Sequence, residues 1–252
     1  MPTDDTGAEV PLDGVPRRIV SLVPSLTEAV AATAPGTLVG ATDWCTAPAD
    51  LAVTRVRGTK NPDLEAVVDL GPDLVVANAE ENRAADLAAL RARGIAVWVT
   101  DIETVPQALT SLGRLTAVLG AEGPGWLAAA VAEWSAPWTG PVRSGVVPIW
   151  RRPWMALGRN TYAGDVLARV GVRNVLDGAA ERYPKVELAA LPPHDLVVLP
   201  SEPYTFSATD GPECFAAPAA LVDGRLLTWY GPAMVGARAA LTAQLAVLSG
   251  GG

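Results

Sequence analysis

Apolar runs of strand length alternate with amphipathic stretches along most of the chain, which predicts an α/β protein with parallel sheets. Arg18–Val23 (RIVSLV) has the continuous apolar character of a strand buried on both faces. Pro24 and Ser25 end it, and Ser25-Leu26-Thr27-Glu28 has the spacing of a capping box, predicting a helix to about Ala34 that stops at Pro35-Gly36. Leu38–Thr42 follows as a strand, then a long loop from Asp43 to Asn61, a helix over Glu80–Arg93 and a strand over Ile95–Thr100. Thr104–Trp134 holds mostly helix formers with breaks at Gly120 and Gly123-Pro124-Gly125, and predicts one or two long helices. In the second half, Gly145–Trp150 and Leu226–Tyr230 read as strands, Thr161–Val170 and Pro232–Leu248 as helices, and Ser201–Pro218 as a loop rich in Pro and aromatics.

One segment occurs twice. Leu64–Ala77 (LEAVVDLGPDLVVA) lies over Val186–Leu199 (VELAALPPHDLVVL) without a gap. Each copy predicts a short amphipathic helix, a Pro break, and an Asp that opens an apolar β run. A Glu stands eight residues before that Asp in both copies, Glu65 and Glu187. Helix-Pro-strand is common in α/β proteins, and the matched Glu is what chance explains least. Two units of one plan predict an N-terminal lobe (1–103), a connecting helical segment (104–136) and a C-terminal lobe (137–252), with a ligand cleft between the lobes.

At 252 residues the chain is long enough for two cores, and with 50% apolar and 18% charged residues it has little scope for disorder. The net charge of −8 argues against nucleic acid or an anionic membrane as a partner. Cys45 and Cys214 form no closely spaced pair, so free thiols are expected. The start, Met1-Pro2-Thr3-Asp4-Asp5-Thr6, lacks the basic and apolar regions of a secretory signal, and no run reaches membrane-spanning length; the expectation is a cytoplasmic protein.

Enzyme signatures are missing. The single histidine, His194, sits in a Pro-Pro-His-Asp turn without a recognisable nucleophile elbow, and there is no Walker A or dinucleotide-binding glycine motif. Cys45, His194 and Cys214 are too scattered to predict a metal site, so no intrinsic cofactor is expected and a metal is expected to arrive inside a ligand. Eight tryptophans against two phenylalanines point elsewhere. Trp126 and Trp134 recur on a predicted helix and Trp98 lies in a strand, so these are expected in the core. Trp44, Trp150, Trp154, Tyr183, Tyr204, Phe206, Trp229 and Tyr230 fall in loops or at strand ends, where parallel sheets carry their ligands. Such rings offer flat apolar area to a planar ligand. Lys60-Asn61, Asn78, Glu80, Glu81, Arg151-Arg152 and Arg159-Asn160 supply polar groups at equivalent places, and the arginines could pair with acidic groups of a ligand or simply be solvated.

From Arg18 onward these features resemble the periplasmic-binding-protein family that serves ABC importers of vitamin B12, haem and ferric siderophores, nearest to the cobalamin-binding branch called helical-backbone metal receptors. The resemblance rests on Arg18–Glu28 (RIVSLVPSLTE), Val39–Trp44 (VGATDW), Leu64-Glu65 through Pro72–Val76, Pro153-Trp154 to Gly158, Tyr183–Glu187 (YPKVE) and Trp229–Pro232 (WYGP). It implies two α/β lobes joined by a long rigid helix. It implies ligand contact by Trp44, Trp154 and Tyr183, and places Glu65 and Glu187 where relatives dock onto a membrane permease. A cytoplasmic copy would not meet the outer face of a permease, so both Glu would be inherited surface features or contacts for another partner. The combined expectation is non-enzymatic binding of cobalamin or a related corrinoid by Trp44, Lys60, Asn61, Asn78, Trp150, Arg151, Trp154, Tyr183, Trp229 and Tyr230. The alternatives are binding of haem or a ferric siderophore, and an enzyme or assembly factor using Glu80 or Glu81 as an acid/base.

Overall fold

The computed structural model describes residues 1–248, so positions 249–252 of the expected C-terminal lobe lie outside the described residues. The chain divides into two compact units. The first comprises Met1–Asp101, Ala108–Ala129 and Tyr230–Pro232; the second comprises Ile102–Gln107, Ala130–Trp229 and Ala233 onward. The segment expected as a connector is two helices, α4 (Val105–Val118) and α5 (Gly125–Ser135), divided between the units in the contacts they make. The break between them falls at the glycines and proline flagged by the sequence, with Gly120 and Gly123 both at positive φ.

The first unit contains, in chain order, β1 (Ile19–Ser21), α1 (Pro24–Thr33), β2 (Leu38–Ala41), β3 (Thr54–Arg55), the hairpin β4 (Arg57–Gly58) and β5 (Asn61–Pro62), α2 (Leu64–Asp69), β6 (Leu74–Asn78), α3 (Ala84–Ala92) and β7 (Val97–Thr100). Its sheet has the order β3-β2-β1-β6-β7, with every pairing parallel. Val20, Leu22, Val75, Ala77, Val97 and Val99 from the strands bury one face against Val67 of α2 and Leu87 and Leu90 of α3. Each such Val or Leu contributes roughly 1.5–3 kcal/mol of burial.

The second unit contains β8 (Arg143–Val146), β9 (Pro148–Trp150), β10 (Met155–Ala156), α6 (Tyr162–Ala168), β11 (Val172–Asn174), β12 (Leu196–Pro200), β13 (Ala219–Val222), α7 (Gly224–Thr228) and α8 (Ala237–Ala246). Its sheet runs β11-β8-β12-β13, again parallel throughout, while β9 and β10 form a small antiparallel pair. The order β11-β8-β12-β13 repeats the β2-β1-β6-β7 portion of the first sheet.

The repeated sequence accounts for this likeness. In each unit the repeat strand (β6, β12) lies beside the unit's first strand (β1, β8), and the repeat Asp locks the pair. The Asp73 carboxylate accepts the backbone N–H groups of Arg17 and Arg18 at 2.8 and 2.9 Å, and its own N–H donates to the Arg18 carbonyl at 2.8 Å. The Asp195 carboxylate accepts the Ser144 N–H at 2.8 Å and hydroxyl at 2.6 Å, and its N–H donates to the Ser144 carbonyl at 2.9 Å. The Ser144 hydroxyl and then its N–H hold the Asp195 carboxyl below the usual carboxylate range.

Several expected elements are corrected. The capping box does not form: α1 begins at Pro24 with Val23 as N-cap and no side-chain cap. Proline is pre-set for a first helical position, so it displaces Ser25 into the helix. The second repeat copy makes a single 3-10 turn at Leu188–Ala190, not an α-helix. Leu191 precedes a proline and is extended there at φ −63°, ψ 140°. The expected strand over Leu226–Tyr230 is helix α7, capped by the Asp223 carboxylate accepting from the Arg225 N–H, and the strand is β13, just before that Asp. Helix α3 starts at Ala84 and not Glu80, because the Asn78 side-chain carbonyl accepts the Glu80 and Glu81 N–H groups and turns the chain.

The polar tail is folded in. Asp4, 2% exposed, accepts from Thr6, Ala8, the Val99 N–H and Arg91, while Asp5 accepts from the Asp101 N–H, Ser111 and Arg114. The tail therefore covers the free edge of β7, where unpaired backbone groups would otherwise lie open.

Candidate functional site

In both units the loops after the carboxyl ends of the parallel strands carry the candidate side chains. In the first unit Trp44 follows β2 and is 67% exposed, and Lys60 and Asn61 are exposed in the β4–β5 hairpin. The Lys60 ammonium donates to the Glu80 carbonyl, tying the hairpin to the loop after β6. Beneath Trp44, the Cys45 thiol is buried and hydrogen-bonded to the hydroxyls of Thr27 and Thr42; burial pushes its pKa up. Asn78 is buried, and its amide donates to Thr100, so it builds the loop. Tyr230 is also buried, beside Thr100, and burial pushes its phenol up.

In the second unit the rings assemble into one cluster. Trp150 is 43% exposed and meets Tyr204 edge-on at 5.8 Å. Tyr204 leans on Phe206 at 4.7 Å, and Phe206 stacks on Trp154 at 6.0 Å. Phe215 meets Trp154 edge-on at 5.4 Å, so Trp154 is half core and half surface. Tyr183 lies in the 182–186 segment, which runs against Trp154–Gly158. The Gly158 N–H donates to the Arg182 carbonyl at 2.7 Å, Ala156 N–H to Pro184 at 3.0 Å, and Val186 N–H to Trp154 at 3.0 Å. This approach requires glycine at 158, since a Cβ there would lie 2.3 Å from the Glu181 carbonyl oxygen. Trp229 is buried; its N–H donates to Glu202 at 2.8 Å and Arg225 lies over its ring at 4.9 Å.

Arg151 sits inside a polar group that the sequence did not disclose. Its guanidinium contacts Asp210, lies 2.8 Å from Glu213 and 3.3 Å from the Cys214 thiol, and stacks 5.4 Å over the Trp154 ring. The Tyr204 hydroxyl donates to Asp210 at 2.6 Å. Desolvation pushes the Glu213 carboxyl up, but the N–H groups of Gly211 and of Glu213 itself, the Cys214 thiol and Arg151 outweigh it and hold the group at about 2. Asp210 and Glu213 lie in the Ser201–Pro218 loop, far from Arg151 in sequence, and nothing in the sequence paired them.

The remaining candidates lie elsewhere. Glu65 and Glu187 are exposed, Glu65 pairing with Arg93 at 2.5 Å. His194 is half-buried, with Nδ1 at 2.7 Å from the Pro192 carbonyl, and borders a cavity of about 340 Å³ lined by Leu188, Leu191, Phe215 and Cys214. That cavity lies by the amino end of β12 and shares Phe215 and Cys214 with the contacts to Trp154 and Arg151. Among the described residues no cluster of three or more His, Cys, Asp or Glu could hold a metal ion, and no helix is long and apolar enough to cross a membrane.

The two-unit, parallel-sheet fold is shared with solved periplasmic binding proteins. The periplasmic vitamin B12 binding protein BtuF of Vibrio cholerae is 18% identical, with a TM-score of 0.73 over 92% of this chain and 97% of its own. The periplasmic haem-binding protein RhuT from Roseiflexus sp. RS-1 is 21% identical, with a TM-score of 0.73 over 91% of this chain and 97% of its own. The Ceue protein of Helicobacter pylori, solved with Ni(II) bound, is 13% identical, with a TM-score of 0.77 over 96% of this chain and 87% of its own. No protein-family model and no curated protein matches the chain.

Proposed function

We propose that this protein is a non-enzymatic solute-binding protein for a planar, metal-containing macrocycle, with a corrinoid as the ligand. The observation that carries the reading is the aromatic cluster of Trp150, Trp154, Tyr204 and Phe206 at the carboxyl rim of the second sheet, on a fold shared with vitamin B12 and haem-binding proteins. A corrin presents a broad face suited to such rings, and its metal arrives already coordinated, so the protein need supply no ligand set. Haem is the second reading, supported by the same fold in the haem-binding neighbour.

Titration of hydroxocobalamin and haemin side by side, followed by quenching of tryptophan fluorescence, tests the reading. Trp150 is the informative substitution, because its exposure lets it be removed with little effect on the core. Trp150→Ala should weaken hydroxocobalamin binding roughly thirty-fold, equivalent to about 2 kcal/mol. Tight haemin binding without hydroxocobalamin binding would replace the corrinoid by haem; binding of neither would remove the macrocycle reading.

A further inference from the structure

Arg151 suggests a rim that attracts anions, but its surroundings reverse the sign. The side chain is only 16% exposed and faces two carboxylates, Asp210 and Glu213, with the Trp154 ring beneath it. Among the groups in direct contact, one guanidinium faces two carboxylates, one unit negative; Arg152, the next cation, is exposed and screened by solvent. A ligand carboxylate could engage Arg151 only by displacing partners already in place, and would face the excess charge as it did so.

We propose that Arg151 is a positioning residue and that Asp210 and Glu213 set ligand specificity, favouring a macrocycle with an amide or cationic periphery over one bearing carboxylates. This rests on the reading of the second unit's aromatic rim as the macrocycle site. Geometry supports it from three directions. Tyr204, which packs on the exposed Trp150, donates its hydroxyl to Asp210 at 2.6 Å, so this carboxylate is tied to the ring wall. Arg151 spans from β9 to both acids, which fixes their distance from Trp150 and Trp154. Glu213 also accepts the Gly211 N–H at 2.6 Å, which keeps it in place and ionised.

The test compares aquocobinamide, whose periphery is amides, with haemin, which carries two propionates, on the wild-type protein and on Glu213→Gln. The substitution keeps the shape and an acceptor for the Gly211 N–H while removing one negative charge; Asp210→Asn gives the same test should the first variant fail to fold. Aquocobinamide should bind at least tenfold tighter than haemin to the wild type. The variant should narrow that ratio about tenfold, the effect of one unit charge near 10 Å at an effective dielectric of about 20. Its melting temperature should stay close to wild type, so that the change in ratio reports charge and not unfolding. Haemin binding as tight as aquocobinamide, or a ratio unmoved in the variant, overturns the specificity proposal and leaves the macrocycle reading standing. Binding of neither compound overturns the macrocycle reading itself, and the specificity proposal falls with it.

Discussion

Gly158 is where a single methyl group should do most damage. A Cβ there would stand 2.3 Å from the Glu181 carbonyl oxygen, 2.9 Å from the Pro184 ring and 3.1 Å from the Arg182 carbonyl oxygen. Two of these neighbours are backbone and the third is a proline, so none can swing aside as a flexible side chain would. The 181–184 segment must move away, which breaks the 2.7 Å bond from the Gly158 N–H to Arg182 and the 3.0 Å bond from Ala156 to Pro184. Overpacking by one methylene costs about 1–3 kcal/mol, and two lost backbone bonds add about 1 kcal/mol each, so Gly158→Ala should destabilise by ~3 kcal/mol or more. With roughly 2–4 °C per kcal/mol for a chain of this size, the melting temperature should fall by about 6–12 °C. Gly125→Ala is the control: nothing lies within 4 Å of its Cβ position, at the start of α5, and helix propensity makes the change neutral or slightly stabilising. Thermal unfolding followed by far-UV circular dichroism measures both. A Gly158→Ala protein melting within a degree or two of wild type would show that the 181–184 segment yields freely, and that Tyr183 is not held where the geometry places it.

Asp4→Asn should cost about 2 kcal/mol in urea unfolding, since one buried carboxylate satisfies backbone N–H groups, a hydroxyl and Arg91 together and an amide cannot accept them all; an unchanged midpoint would mean that the tail does not cover β7 in solution. Glu213 has its carboxyl lowered, so the stability its ionised form contributes is full above 4.5 and lost as pH falls through about 2, while in the folded protein its hold on Arg151 persists until pH nears 2. The near-UV circular dichroism should accordingly stay constant from pH 7 to about 4 and change as pH falls toward 2 in the wild type but not in Glu213→Gln. Glu65→Ala and Glu187→Ala together should change stability by no more than about 1 kcal/mol, because both groups are exposed and the Arg93 pair is a surface one; a larger loss would make them structural.

The fold was legible because its evidence is local and repeated. Apolar runs marked β1, β2, β6 and β12, and the matched Asp73 and Asp195 proved to be the residues that lock equivalent strand pairs. The errors arose where a turn residue competed with a propensity. Pro24 overruled the Ser25–Glu28 capping pattern, Pro192 cut the second repeat helix to one turn, and Asp223 capped a helix where Leu226–Tyr230 reads as a strand. Each outcome follows from backbone geometry at one residue, which a periodicity count does not weigh.

The site was legible in its residue types and not in their partners. Trp44, Trp150, Asn78, Trp229 and Tyr230 were all expected to contact ligand; the first two are exposed, while the other three are buried and hydrogen-bonded within the fold. Sequence position alone cannot separate these groups, because a loop residue turns inward whenever a buried donor or acceptor there needs a partner. Arg151 carries the same lesson for charge. Read along the chain, Arg151-Arg152 is a basic pair beside tryptophans and invites an acidic ligand. In the fold Arg151 is already claimed by Asp210 and Glu213, which come from a loop some sixty residues later. Electrostatic character belongs to the assembled group, and here the assembled group has the opposite sign to the residue that announced it.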